Sequence, residues 1–177
     1  MREDLLAWSA GSTQVLLDAL REAGPDRGCW TWWGDSHSPQ TSGAVARHQV
    51  QEAAVHTYDA QLSLGSPLPL SAEIALDGVE EFLFTCCATT SAWPHEPAAV
   101  DYQATEGRSW RLWLSGEGAR AARISPLGEP GGAPAAASAR ATAGEVVLVF
   151  YGRLPVEALK LEGDRQLFDQ LIAWEPE

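Results

Sequence analysis

The period of the apolar residues changes at Trp93-Pro94, and that change limits the fold more than any single motif. Before it, apolar side chains recur at helical spacing. In residues 3–23, Leu5, Leu6, Trp8, Val15, Leu16, Leu17 and Leu20 form a broad stripe, the pattern of an amphipathic helix. Gly24-Pro25 closes it, because glycine suits a C-cap and proline cannot continue a helix. Thr41-Ser42 offers an N-cap for a second helix running to Gly65, and Ser71 caps a third over residues 72–88. The loop after the first helix carries Trp30, Trp32 and Trp33, whose apolar area predicts that it folds back onto the core.

After Pro94 the spacing shortens. Residues 102–105 and 109–115 read as strands with Gly107 at the turn, and Trp110, Leu112 and Leu114 alternate with Arg111 and Trp113. Residues 126–139 are low in complexity and predict a flexible loop. Thr142 and Glu145 form a capping box ahead of residues 146–151, a run whose β-branched content suits a strand equally well. Residues 154–162 look extended. Residues 164–174 have the spacing of a final helix with Leu167, Phe168, Leu171 and Ile172 inward. The chain therefore reads as α+β, with a helical part over 1–93, an α+β part over 97–177 and no internal repeat.

Composition narrows the function. With 45% hydrophobic and 20% charged residues, the chain is an ordinary globular protein. Its 12 Lys plus Arg stand against 24 Asp plus Glu, a net charge of -12. That field repels phosphate, so nucleic acid and anionic membranes are excluded as partners. The three cysteines, Cys29, Cys86 and Cys87, are an odd set with an adjacent pair and no CxxC spacing, a poor disulfide framework. The first residues do not resemble a signal peptide, and the longest apolar run, 82–88, is too short to span a bilayer. A reduced, cytoplasmic protein is expected.

One constellation suggests chemistry. Glu52, His56 and Asp59 stand at i, i+4 and i+7 of the second helix, so they share a face. A carboxylate and an imidazole one turn apart can both reach a metal ion, with the second acid orienting the ring's other nitrogen. The same spacing also occurs on solvated helices that bind nothing. His48 shares the face but stands too far along it to join the same ion. His37 and His95 are the remaining histidines that could supply a third ligand.

The run from Ala46 to Ala60, with Arg47, Glu52, Val55, His56, Asp59 and Ala60 in place, resembles the signature helix of the actinobacterial mycothiol-dependent maleylpyruvate isomerase-like family. His48, Gln51 and Thr57 depart from it. Residues 76–83 resemble that family's following helix. Gly152-Arg153-Leu154-Pro155 and residues 161–165 resemble its small C-terminal domain. The resemblance implies a DinB-type helical bundle followed by a small sterol-carrier-like domain. It further implies that Glu52 and His56 are two of three ligands to a divalent metal, usually zinc, that activates the thiol of mycothiol. The thiolate adds to the cis double bond of an electrophile such as maleylpyruvate; rotation and elimination give the trans isomer. Arg153 matches the position of an assisting arginine, a role for which its guanidinium is suited; a salt bridge or cap is the other role that position allows. The family's third ligand lies on an early helix, upstream of the segment matching residues 3–23. The expectation is thus a partial bundle with an incomplete or remodelled metal site, completed by His37, by a second copy in a homodimer, or by a partner chain. A non-catalytic partner subunit and a small-molecule carrier using the C-terminal domain are the alternatives.

Overall fold

The computed structural model describes residues 2–125 and 133–175. The first part consists of helices α1 (Arg2–Ala23), α2 (Ser42–Ser63) and α3 (Ala72–Phe82). The second consists of strands β1 (Ala98–Ala104), β2 (Ser109–Ser115), β3 (Gly118–Ile124) and β4 (Ala137–Ala141), helix α4 (Ala143–Phe150), strand β5 (Lys160–Gly163) and helix α5 (Gln166–Ala173). The chain is α+β, as its two periods require. Among the described residues no helix is long and apolar enough to cross a membrane.

The caps fall where the side chains allow. Thr41 accepts a bond from the Ala44 N–H and Ser71 one from the Ile74 N–H. Thr142 and Glu145 close both arms of their capping box, which makes the run that also suited a strand a helix. The third helix is shorter than its sequence predicts, because Leu83–Cys87 continue as a π turn. In an α-helix Leu83 and Thr85 would point to nearly opposite sides; here both are buried. The loop beside them takes up the freed backbone, with the His37 N–H donating to the Phe84 carbonyl at 3.0 Å.

The sheet order is β3-β2-β1-β4-β5, with β1 and β4 parallel and the other pairs antiparallel. Val100 faces Leu112 and Tyr102 faces Trp110 across β1 and β2, which brings the large inward side chains together. They join Val79 and Leu83 of α3 and its turn, Val146 and Val147 of α4, and Leu167 and Phe168 of α5 in one core. On the other face of the same pair, Asp101 and Arg111 form a buried bidentate ion pair at 2.6 and 2.8 Å.

Several expectations need correction. Residues 137–139, read as part of a flexible loop, begin β4; residues 126–132 lie outside the described residues. β3 was not anticipated, and β1 starts at Ala98 rather than at position 102. The segment 154–162 is extended only in part, since Val156–Ala158 form a 3₁₀ turn before β5. Ile172 is 69% exposed instead of inward, because the end of α5 overhangs a cavity that its side chain rims. Of the three loop tryptophans only Trp33 turns inward, its indole N–H on the Pro39 carbonyl, while Trp30 and Trp32 are 84% and 56% exposed. A single bridge, Gly28 to Thr41, lays that loop along the start of α2 and leaves two of the rings outside. Helix α1 meets the rest near its C-terminal end, where Leu17 and Leu20 approach Ser42, Gly43 and Ala46. None of its described side chains is buried.

Candidate functional site

Helix α2 presents its polar face beside the end of α4, and there the three residues singled out by their spacing meet Arg153, which the family resemblance pointed to. The helical repeat sets His56 Nε2 3.3 Å from Glu52 Oε2 and His56 Nδ1 3.0 Å from Asp59 Oδ2. Arg153 arrives from the second part of the chain. After α4, Gly152 takes φ 70°, a turn that glycine makes without strain, and the chain doubles back with the Arg153 N–H on the Leu148 carbonyl at 2.7 Å. The guanidinium then grips Asp59 with two bonds, Nε to Oδ1 at 3.0 Å and Nη2 to Oδ2 at 2.6 Å. Arg153 first, and His56 after it, hold the Asp59 carboxyl down at about 2.

His48 stands closer to this group than its sequence position suggests. Its Nε2 lies 3.6 Å from Glu52 Oε1, and its Nδ1 lies 2.9 Å from Glu81 Oε1. The rings of Trp32 and Trp33 cover it at 5.8 and 5.3 Å. The bond to Glu81 is the main reason its pKa rises, against the opposing effect of burial. Thr85 donates to the same Glu81 oxygen at 3.0 Å, and its hydroxyl pairs with that of Ser38 at 2.5 Å. Glu81 is buried to 2% exposure and its Oε2 has no hydrogen-bond partner; nor has the buried hydroxyl of Tyr151. Burial foremost, then the charge of Glu81, keeps the Tyr151 phenol protonated.

Glu52 thus sits between two imidazoles whose far nitrogens are each anchored to another acid. If Asp59 accepts the Nδ1 proton of His56, a bare Nε2 lone pair faces a carboxylate oxygen at 3.3 Å. Two acceptors at that distance need a proton or a cation between them. His37 and His95 do not join: the ring of His37 packs on Phe84 and that of His95 on Trp93. Among the described residues no group of three His, Cys, Asp or Glu is arranged to hold a metal ion. The donors here fit two ligands of a zinc-type site, which commonly takes three from the protein. Glu81, Thr85 and Tyr151 escaped the sequence reading; the one local signal was an acid pair, Glu80-Glu81, near the end of a helix that also carries Glu73 and Asp77.

The adjacent thiols lie in the π turn that follows α3 and line a cavity. Burial pushes Cys87 up to about 12 and raises Cys86 further, helped there by the charges of Glu81 and Glu52.

Residues 1–61 match the mycothiol maleylpyruvate isomerase N-terminal domain, and residues 73–170 match the MDMPI C-terminal domain. Glu52, His56 and Asp59 fall in the first match, and Glu81, Tyr151 and Arg153 in the second. Among solved structures, the chain is similar to a double mutant of a sec-alkyl sulfatase, with 11% identity and a TM-score of 0.38 over 46% of this chain and 13% of that one. The chain spans about an eighth of that protein's length, and a likeness so slight carries no argument. No curated protein matches the chain.

Proposed function

From the premise that this chain belongs to the mycothiol maleylpyruvate isomerase family, we propose that it is a mycothiol-dependent isomerase or thiol transferase acting at Glu52, His56 and Arg153. The observation that carries the reading is the pair of hydrogen bonds from Arg153 to Asp59 across 94 positions of sequence, which ties the C-terminal part to the imidazole-bearing face of α2.

The residues define a path for one proton and one electron pair. Asp59 accepts a hydrogen bond from the Nδ1–H of His56 and so leaves Nε2 unprotonated, as a base. Nε2 accepts the proton of an approaching thiol, and the thiolate adds to a double bond conjugated with a carbonyl. A carbon–sulfur bond forms, and the π pair moves onto the carbonyl oxygen as an enolate. Rotation about the new single bond, return of the pair and loss of the thiolate give the geometric isomer. Return of the thiol's proton from His56 Nε2 to the enolate carbon instead leaves a thioether, the transferase product. Arg153 fixes Asp59 and keeps a cation beside the developing enolate charge. Glu52 and His56 are donors suited to zinc, but they are one short of a usual catalytic set, so the thiol's proton is assigned to His56 rather than to a metal.

The test is thiol-dependent turnover of an activated alkene by the purified chain. His56→Ala should lower the rate by about 10²–10⁴, the usual worth of a general base. Unchanged turnover in that variant would sink the assignment. Metal analysis belongs beside it, since one divalent ion per chain that is lost in Glu52→Ala and His56→Ala would return the thiol activation to a metal. A second reading, a non-catalytic partner subunit, is favoured by the missing third donor among the described residues. It predicts a metal-free protein with no turnover, equally stable with both alanines.

The same reading includes a homodimer built on α1. Leu5, Leu6, Trp8, Val15, Leu16 and Leu17, with Trp30 and Trp32 of the adjoining loop, are 38–84% exposed. With a wholly exposed aromatic presenting about 150–250 Å² and the aliphatics somewhat less, they offer roughly 900 Å². A stable interface needs about 800 Å² from each partner, so a second copy packing its own α1 against this one suffices.

A further inference from the structure

A cavity lies against the cluster and is unused by the chemistry above. It has a volume of about 470 Å³ and opens between the end of α3, the turn after α4, and α5. Phe82, Phe150, Phe168 and Trp174 form much of its wall, and Tyr102 and the two thiols are its polar side chains. None of its lining residues is charged, although charged residues make up 20% of the chain. Such a lining cannot compensate a buried ion, whose desolvation is costly without a partner. The volume is that of a small-molecule site.

The cavity and the cluster share a wall. Gly152 lines the cavity between Tyr151 and Arg153, and Cys86 lines it within electrostatic reach of Glu81 and Glu52. On the cluster side, Glu52, Asp59 and Glu81 are three carboxyl groups in the same small volume. Arg153 already spends two bonds on Asp59, and His48 is engaged by Glu81. A small dicarboxylate arriving there would meet more negative than uncommitted positive charge. An uncharged guest would meet neither obstacle.

We infer that the ligand of this cavity is an uncharged molecule with a mainly hydrocarbon body, and that the electrophile of this chain is of that class rather than a small dicarboxylate. The class of the electrophile rests on the thiol-dependent reading; the selectivity of the cavity does not.

The experiment titrates the full chain with N-phenyl-1-naphthylamine, a neutral fluorescent probe. A saturable rise in emission is expected, reversed by 1-nonanol and untouched by maleate. Ile172→Asp, on the exposed rim, should weaken the probe about tenfold, and Val156→Trp, which fills the cavity, should do the same with an unchanged melting profile. No saturable rise, displacement by maleate as effective as by nonanol, or parental affinity in both variants overturns the inference. Turnover is measured separately with a thiol and either 2-nonenal or maleylpyruvate. Probe binding without turnover of either removes the thiol-dependent reading and leaves the cavity's selectivity standing. Turnover of maleylpyruvate by a chain that binds no probe does the reverse.

Discussion

Helices α1 and α4 reverse the usual relation between length and burial. The first runs for 22 residues without one described side chain buried, while the second runs for 8 and buries Ala143, Val146, Val147 and Leu148. Periodicity tells which face of a helix is apolar, and it says nothing of what that face meets. α4 packs against α3 and strands β1 and β4, so Ala143, Val146, Val147 and Leu148 are enclosed. Among the described residues, α1 packs mainly on the start of α2. A lone amphipathic helix is marginal in water, so α1 owes its order to that short contact and to whatever covers its stripe.

Truncation in the packed half should therefore have the largest effect. Trp110 is wholly buried and its indole N–H donates to Glu80 at 3.1 Å. Trp110→Ala should cost about 3–5 kcal/mol, read from urea denaturation. A cost under 1 kcal/mol would show that the core is not closed around it. Asp101→Ala comes next, since it takes the carboxylate from the buried Arg111 guanidinium; removal of one partner of a buried pair costs about 3–5 kcal/mol, whereas an apolar replacement of both is often neutral. Asp101→Leu with Arg111→Met should recover most of the loss. A double variant as unstable as the single one would show that the sheet needs the pair itself.

How far the sequence could be read follows the same contrast. Thr142 and Glu145 are three residues apart and bind each other's backbone, so their signal is local and marks a possible helix start, although the β-branched run after it suited a strand equally well. β4 is Ala-Ser-Ala-Arg-Ala and β3 is Gly-Ala-Arg-Ala-Ala-Arg-Ile, residues with little strand preference of their own. Yet Ala137, Ala139 and Ala141 are buried in strict alternation: small side chains are what this part of the core admits, and only tertiary packing reveals it. The site divides likewise. Glu52, His56 and Asp59 lie within two turns of one helix, where spacing dictates proximity. Glu81 and Tyr151 reach it from other elements; an acid pair is the one local mark of Glu81, and nothing in its local sequence marks Tyr151. Arg153 was nominated through a family resemblance alone, and the structure sets it on Asp59.

The junction between the two halves should respond to acid. Arg153 holds the Asp59 carboxyl at about 2, below the ordinary value near 4. A depressed carboxyl adds stability above its unfolded pKa and loses it as pH falls through the folded one. The stabilisation from Asp59 should be present at pH 5 and fade between about 4 and 2. Arg153→Ala should flatten that limb, seen by comparing denaturation midpoints at pH 5 and 2.5. An unchanged acid limb would mean that the pair does not fasten the C-terminal part to α2.

The smallest effect on chain stability should come from α1, and that is where the comparison is sharpest. Trp8 is 69% exposed, so Trp8→Ala removes almost no intramolecular contact and should stay within about 0.5 kcal/mol of the parent. If a second copy covers the stripe, the loss appears in assembly instead. Sedimentation should show the parent at twice its chain mass of 19.0 kDa, and Trp8→Glu with Leu16→Glu at that mass alone, with the fold of the second half intact. A parent that sediments as a single chain at every concentration would leave the face to a different partner. A double variant that stays dimeric would place the interface elsewhere.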